Sequence, residues 1–65
     1  MYEQLAALEY PKGRRHMCTV TSEHELAAGA EFKMFARIWR VSHVHHPKRS
    51  SDPAYIVCFT IGRPT

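Results

Sequence analysis

The sequence predicts an α+β protein that is mostly β: a short N-terminal helix, then a three-stranded antiparallel meander whose middle strand is long and bent. Three observations predict this fold class. A chain of 65 residues has room for one small domain, residues 1–65. Side chains over residues 31–46 and 54–61 alternate with period two, which is typical of strands. Clusters of proline, glycine and serine between these runs indicate turns.

Residues 1–10 are predicted to form the helix. Tyr2, Leu5 and Leu8 recur at roughly helical spacing, so they would lie on one side. A helix this short is marginal in water, and we expect it to exist only if it docks on the sheet. Pro11 ends it, because the residue before a proline is pushed towards extended conformations.

Residues 14–21 and 23–28 are predicted as a strand and a helical turn. Threonine and valine favour extended backbone in the first segment. In the second, Ser22 and Glu25 fit a capping box, and Gly29 closes the turn. The alternative for this second segment is a plain loop whose leucine fills the core.

Residues 31–46 are predicted to form the long middle strand. One face is apolar, and the other alternates basic with aromatic side chains: Phe32, Met34, Ala36 and Ile38 against Lys33, Phe35, Arg37 and Trp39. After residue 38 the pattern slips, so that Val41 falls on the wrong face. A bulge or sharp bend near residues 40–43 would explain the slip.

The last strand is predicted over residues 54–61, with large apolar side chains on both of its faces. By analogy of fold alone, a strongly bent middle strand would curl the meander into a small open barrel of the SH3-like or OB-like kind. Since both faces are apolar, something must cover the second one. The candidates are the N-terminal helix, a second copy of the chain in a homodimer, or a partner.

Composition narrows the classes of function. Nine basic against six acidic residues give a net charge of +3, which permits a nucleic-acid partner but does not demand one. The sequence shows neither a signal peptide nor a membrane-spanning segment, so we expect a cytoplasmic protein and reduced cysteines. It also lacks a nucleophile–base spacing and a glycine-rich phosphate loop, and we expect no enzymatic activity.

The cation-aromatic strand face is the leading candidate for a binding site. Together with the basic loop it gives the predicted partner-binding residues: Lys33, Phe35, Arg37, Trp39, Lys48 and Arg49. A single-stranded nucleic acid would use the same residues and add Arg14 and Arg15 for phosphates. The competing interpretation is that Phe35 and Trp39 are buried under the helix.

Histidines and cysteines raise a weaker hypothesis of a zinc-stabilised module. His43 and His45 would share a strand face, and Cys18 or Cys58 would have to turn the same way to complete a site. No close-spaced cysteine pair accompanies them. We therefore predict no cofactor, with zinc as the alternative.

The functional hypothesis is a small non-enzymatic binding module that regulates or inhibits a larger protein by docking on it. Excess apolar surface in so short a chain supports it, together with the lack of catalytic motifs. Chains of this kind are frequent among phage and mobile-element proteins, which is an association only. The first alternative is a module that binds single-stranded nucleic acid.

Overall fold

The structure is a computed structural model that describes residues 1–62. It is a five-stranded mixed half-barrel with the strand order β2-β1-β5-β4-β3. The bounds are β1 Tyr2–Tyr10, β2 Arg14–Ser22, β3 Glu31–Met34, β4 Arg37–His45 and β5 Tyr55–Gly62, with one 3-10 turn at Pro11–Gly13. β1 and β5 pair in parallel, and the other neighbours are antiparallel. Strands β2 and β5 occupy the segments in which strands were predicted at residues 14–21 and 54–61.

The predicted N-terminal helix over residues 1–10 is wrong, because this segment is strand β1, an interior strand between β2 and β5. Ala6, Ala7 and Leu8 are each fully buried, at 0% exposure, so side chains on both faces of the strand are shielded from solvent at its centre. A central strand makes hydrogen bonds along both edges, which outweighs the helix propensity of alanine and leucine. The three-stranded meander is wrong for the same reason, since β1 joins β2 to β5.

The predicted long strand 31–46 is wrong as well, because a hairpin turn at Phe35–Ala36 divides it into β3 and β4. Both turn residues have positive φ, 54° and 57°. A two-residue hairpin turn of the type I′ kind has this conformation, and asparagine–glycine is its usual sequence. The expected irregularity near residues 40–43 is present, as a register shift between Val41 and His43.

The Phe35–Ala36 turn yields a prediction about stability. Left-handed backbone costs a residue with a Cβ about 1–2 kcal/mol, and glycine is free of this cost. We therefore expect Ala36→Gly to raise the free energy of unfolding by about 1 kcal/mol, measured by urea denaturation. Ala28→Gly is the matched control, since Ala28 is exposed and lacks a positive φ. It should lower stability slightly, and equal effects at both positions would contradict the strained-turn explanation.

The predicted helical turn over residues 23–28 is wrong, and the segment is a crossover loop from β2 to β3, residues 23–30. The capping box does not form: the Ser22 hydroxyl donates to the carbonyl oxygen of His24 at 2.6 Å. Leu26 fills the core instead and is 9% exposed. Gln4 holds it there, since its side-chain amide accepts from Leu26 N–H at 2.7 Å and donates to Leu26 C=O at 3.0 Å.

The sheet has two different faces. The inner face carries the hydrophobic core, which consists of Ala6, Leu8, Val20, Leu26 from the loop, Trp39, Val41, Ile56 and Cys58. Side chains of neighbouring residues on a strand point to opposite faces, so Ala7 and Val57 belong to the outer face. Over residues 1–62 there is no helix of the length and apolarity that crossing a membrane would require.

Candidate binding surfaces

Trp39 belongs to the core and has no exposed surface. It is 0% exposed, and its indole N–H donates to the carbonyl oxygen of Met34 at 2.9 Å. Its ring lies edge-to-face against Tyr10, with the ring centroids 5.0 Å apart. Of the residues predicted to share its strand face, Lys33 and Phe35 are exposed. Because the hairpin turn intervenes, the predicted cation-aromatic row of side chains is not one continuous surface.

A cleft opens beside Phe35, where the two edges of the half-barrel approach each other. His16 of β2 and Phe35 of the β3–β4 turn meet edge-to-face, with ring centroids 5.5 Å apart. The cleft has a volume of about 410 Å³. We call it the seam cleft, and it is lined by Tyr10, Arg14, Arg15, His16 and Phe35. Aromatic and basic residues therefore line this cleft together.

Several basic side chains without an ion-pair partner among residues 1–62 lie at the end of the sheet where the seam cleft opens. Arg37 lies over the Tyr10 ring, with Cζ 5.3 Å from its centroid. Arg15 is paired with Glu9, and this hydrogen bond raises the pKa of the Arg15 guanidinium. Within the described part of the chain, the cations at this end that have no carboxylate partner are Lys12, Arg14, Lys33 and Arg37. This end holds the Pro11–Gly13 turn and the Phe35–Ala36 turn, and it is called the turn end below.

The basic loop lies far from the turn end. Lys48 and Arg49 belong to the β4–β5 connection, which follows His45 and precedes Tyr55. The register pairs Tyr55 with His45 at one end of β5, whereas Trp39 is opposite Thr60 near the other end. The predicted set of partner-binding residues is therefore divided between opposite ends of the sheet.

The outer face exposes apolar side chains around a buried centre. Ala7 and Val57 are adjacent in register and only 0% and 5% exposed. Met17, opposite Ala7 on β2, is 42% exposed, and Phe59 of β5 is 48% exposed. Ile61, further along β5, is also exposed. The strands of residues 1–62 form a single sheet, so no second sheet packs against this face.

Ion pairs flank Phe59 on both sides. In register, Phe59 lies between Glu9 on β1 and Arg40 on β4. Glu9 is bound by Arg15, and Arg40 binds Glu31 with Nη2 and Oε2 2.6 Å apart. A shallow cavity of about 340 Å³ adjoins the ring, lined by Glu9, Tyr10, Pro11, Gly13, Phe59 and Thr60. The centre of the outer face is thus apolar and its nearest charges are mutually neutralised.

The residues considered as zinc ligands do not form one group. Cys58 is opposite Val41 and belongs to the inner core, whereas His43 is opposite Val57 on the outer face. His45 stacks on Tyr55, with ring centroids 4.7 Å apart. In the described range no group of three or more histidine, cysteine or acidic side chains is placed to hold a metal ion.

The cysteine thiols are free and poorly suited to nucleophilic chemistry. Burial, with a smaller contribution from the nearby Cys18, raises the pKa of the Cys58 thiol to about 11. Burial also raises the pKa of Cys18. A thiol with a raised pKa holds little thiolate at neutral pH, and the thiolate is the reactive form.

Comparison with protein-family models, curated proteins and solved structures finds no match for this chain. Inferences about function therefore depend on the two surfaces just described. Sequence reasoning missed His16, Tyr10, Met17 and Phe59, whose roles arise from the pairing of strands. The apolar residues on both faces of β5 were the available signal for an exposed outer face.

Proposed function

We propose that this protein is a non-enzymatic binding module that docks on a larger protein through the outer face of its sheet. The observation that carries the proposal is the exposure of Phe59 and Met17 around a fully packed apolar centre. Exposed apolar patches of this kind are typical of protein–protein contacts.

The surroundings of Phe59 support a protein as the occupant. An aromatic side chain at the centre of a patch, with charges at its edge that are already paired, resembles an interaction hot spot. The adjoining cavity of about 340 Å³ can receive a partner side chain. Since the flanking carboxylates and guanidinium groups neutralise each other, the apolar contact is not opposed by unpaired charge.

A larger protein fits this face better than a second copy of the chain. The net charge of +3 makes two copies repel each other, whereas a partner with an acidic rim would be attracted. The module would regulate or inhibit its partner if the surface that it covers contains the partner's active site or binding site.

Phe59→Ser tests the proposal. We expect it to weaken binding to the partner by about 2 kcal/mol, roughly thirtyfold in Kd, because the complex loses an aromatic anchor that the partner would bury. The partner is captured from lysate with the wild-type protein, identified, purified and titrated by calorimetry. Met17→Ser should weaken binding in the same direction.

Val44→Ser is the matched control. Val44 is 38% exposed, and it pairs with Ile56 on the opposite side of the sheet from Phe59. It should leave the affinity unchanged. Sedimentation at two concentrations comes first, because a wild-type dimer that Phe59→Ser dissociates would make a second copy the occupant and refute the proposal of a larger partner.

A further inference from the structure

The geometry of the seam cleft points to a second binding activity: we propose that it binds single-stranded nucleic acid, with a base stacked on Phe35 and phosphates held by Arg14 and Arg37. This site adjoins the outer face, since Tyr10 lines both cavities, but its proposed contacts, Phe35, Arg14 and Arg37, are not part of the outer-face site. Its support comes from the shape of the cleft, from the conformation of Phe35 and from the distribution of charge at the turn end.

The cleft has the size and lining that such a ligand needs. Its volume of about 410 Å³ lies within the range of sites that bind small organic groups. The cleft is lined by three aromatic or imidazole side chains and two arginines, with no acidic residue of the described chain among them, and of these arginines Arg14 has no carboxylate partner there whereas Arg15 is paired with Glu9. Stacking surfaces beside cations are the usual means of holding unpaired bases and their phosphates.

Phenylalanine is an unfavourable residue for the backbone conformation of the hairpin turn at position 35. The φ of Phe35, 54°, is an unusual conformation for a bulky side chain, and the ring remains 52% exposed. Strained residues of this kind concentrate at ligand-binding sites. Asparagine would fit the turn better. The ring contacts His16 on one side and leaves about half of its surface open, and stacking is the interaction that an exposed ring at the mouth of a basic cleft offers.

The charges favour a polyanion over a neutral ligand. Lys12, Arg14, Lys33 and Arg37 carry no ion pair within residues 1–62 and lie at the turn end. The carboxylates nearest to this end, Glu9 and Glu31, are both occupied by arginines. A chain of phosphates would contact several of these cations at once, and displacement of its counterions would add to the affinity.

An anisotropy titration with a fluorescent oligothymidine of about 12 nucleotides tests the inference. We expect binding that weakens between about 50 mM and about 200 mM salt, with a slope of log K against log salt of roughly −2 to −3. A duplex of equal length should bind less tightly because its bases are not free to stack. Equal affinity for the duplex, or no binding at the lower salt concentration, overturns the inference.

Three variants locate the site. Phe35→Asn, which the turn accommodates, should weaken binding at least about fivefold through loss of stacking. Arg14→Gln should weaken binding and reduce the salt slope by about 0.7. Arg49→Gln removes the same charge from the opposite end of the sheet and should bind as the wild type does.

Each contrary result has a definite meaning. Equal losses in Arg14→Gln and Arg49→Gln indicate attraction to net charge and refute the cleft as the site. Wild-type affinity in Phe35→Asn refutes stacking on the ring. If Phe35→Asn instead abolishes capture of the protein partner, the cleft is a protein contact and this inference fails, whereas the outer-face proposal is judged separately by Phe59→Ser.

Discussion

Replacing Trp39 with alanine is expected to lower the free energy of unfolding by about 3–5 kcal/mol, because the largest fully buried side chain is lost and leaves a cavity. A small domain has a total stability of only about 5 kcal/mol or somewhat more. Trp39→Ala should therefore be largely unfolded under mild conditions. Circular dichroism during urea titration measures the change.

Two further variants separate the contributions to this effect. Trp39→Phe keeps a ring in the core but removes the hydrogen bond to the Met34 carbonyl, so it should cost about 1–2 kcal/mol. Phe35→Ala removes an exposed ring and should cost less than about 1.5 kcal/mol, its edge-to-face contact with His16 included. A loss in Trp39→Ala as small as that in Phe35→Ala would contradict the role of Trp39 as the centre of the core.

The burial of Trp39 shows where sequence reasoning fails for this chain. On one continuous strand, Trp39 shares a face with Lys33, Phe35 and Arg37. The two-residue turn changes which residues share a face, since the hairpin register pairs even-numbered residues of β3 with odd-numbered residues of β4: Phe32 with Trp39 and Met34 with Arg37. Even-numbered residues of β3 and odd-numbered residues of β4 then line the same core.

A signal for the turn was present in the sequence but was ambiguous. Apolar residues occupy even positions up to Ile38 and odd positions at Trp39 and Val41. A bulge and a turn both produce such a change, and the chain contains both. Neither Phe35 nor Ala36 is typical of a type I′ turn, so turn chemistry did not favour this position over the later bend.

The first strand was unpredictable for a different reason. Leu5, Ala6, Ala7 and Leu8 form a short apolar run, and such runs do not distinguish a helix from a strand buried on both faces. The parallel pairing of β1 with β5 decides between them, and it joins residues about 50 positions apart in sequence. Since the outer face is defined by this pairing, its candidate residues could not be identified before the fold was known.

The second large effect is expected at the crossover loop, which one side chain holds against the sheet. Gln4→Glu should lower the free energy of unfolding by about 1–3 kcal/mol at neutral pH. A carboxylate can still accept from Leu26 N–H, but it cannot donate to Leu26 C=O, so two oxygens would face each other. Urea denaturation gives the loss, and faster hydrogen exchange at Leu26 shows that the loop has opened.

The pH dependence of Gln4→Glu identifies the cause. A protonated carboxyl has both a donor and an acceptor, so it reproduces the two hydrogen bonds of the glutamine. Because folding therefore favours the protonated form, the pKa of the introduced carboxyl in the folded variant is raised above its ordinary value of about 4.3. Stability relative to the wild type is therefore retained at pH values below that ordinary pKa and is lost as pH rises through the raised one. Glu3→Gln, at the exposed neighbouring position, is the control and should show no such restoration in acid. A loss in Gln4→Glu that does not depend on pH would show that Gln4 supports the loop by packing and not through its paired hydrogen bonds.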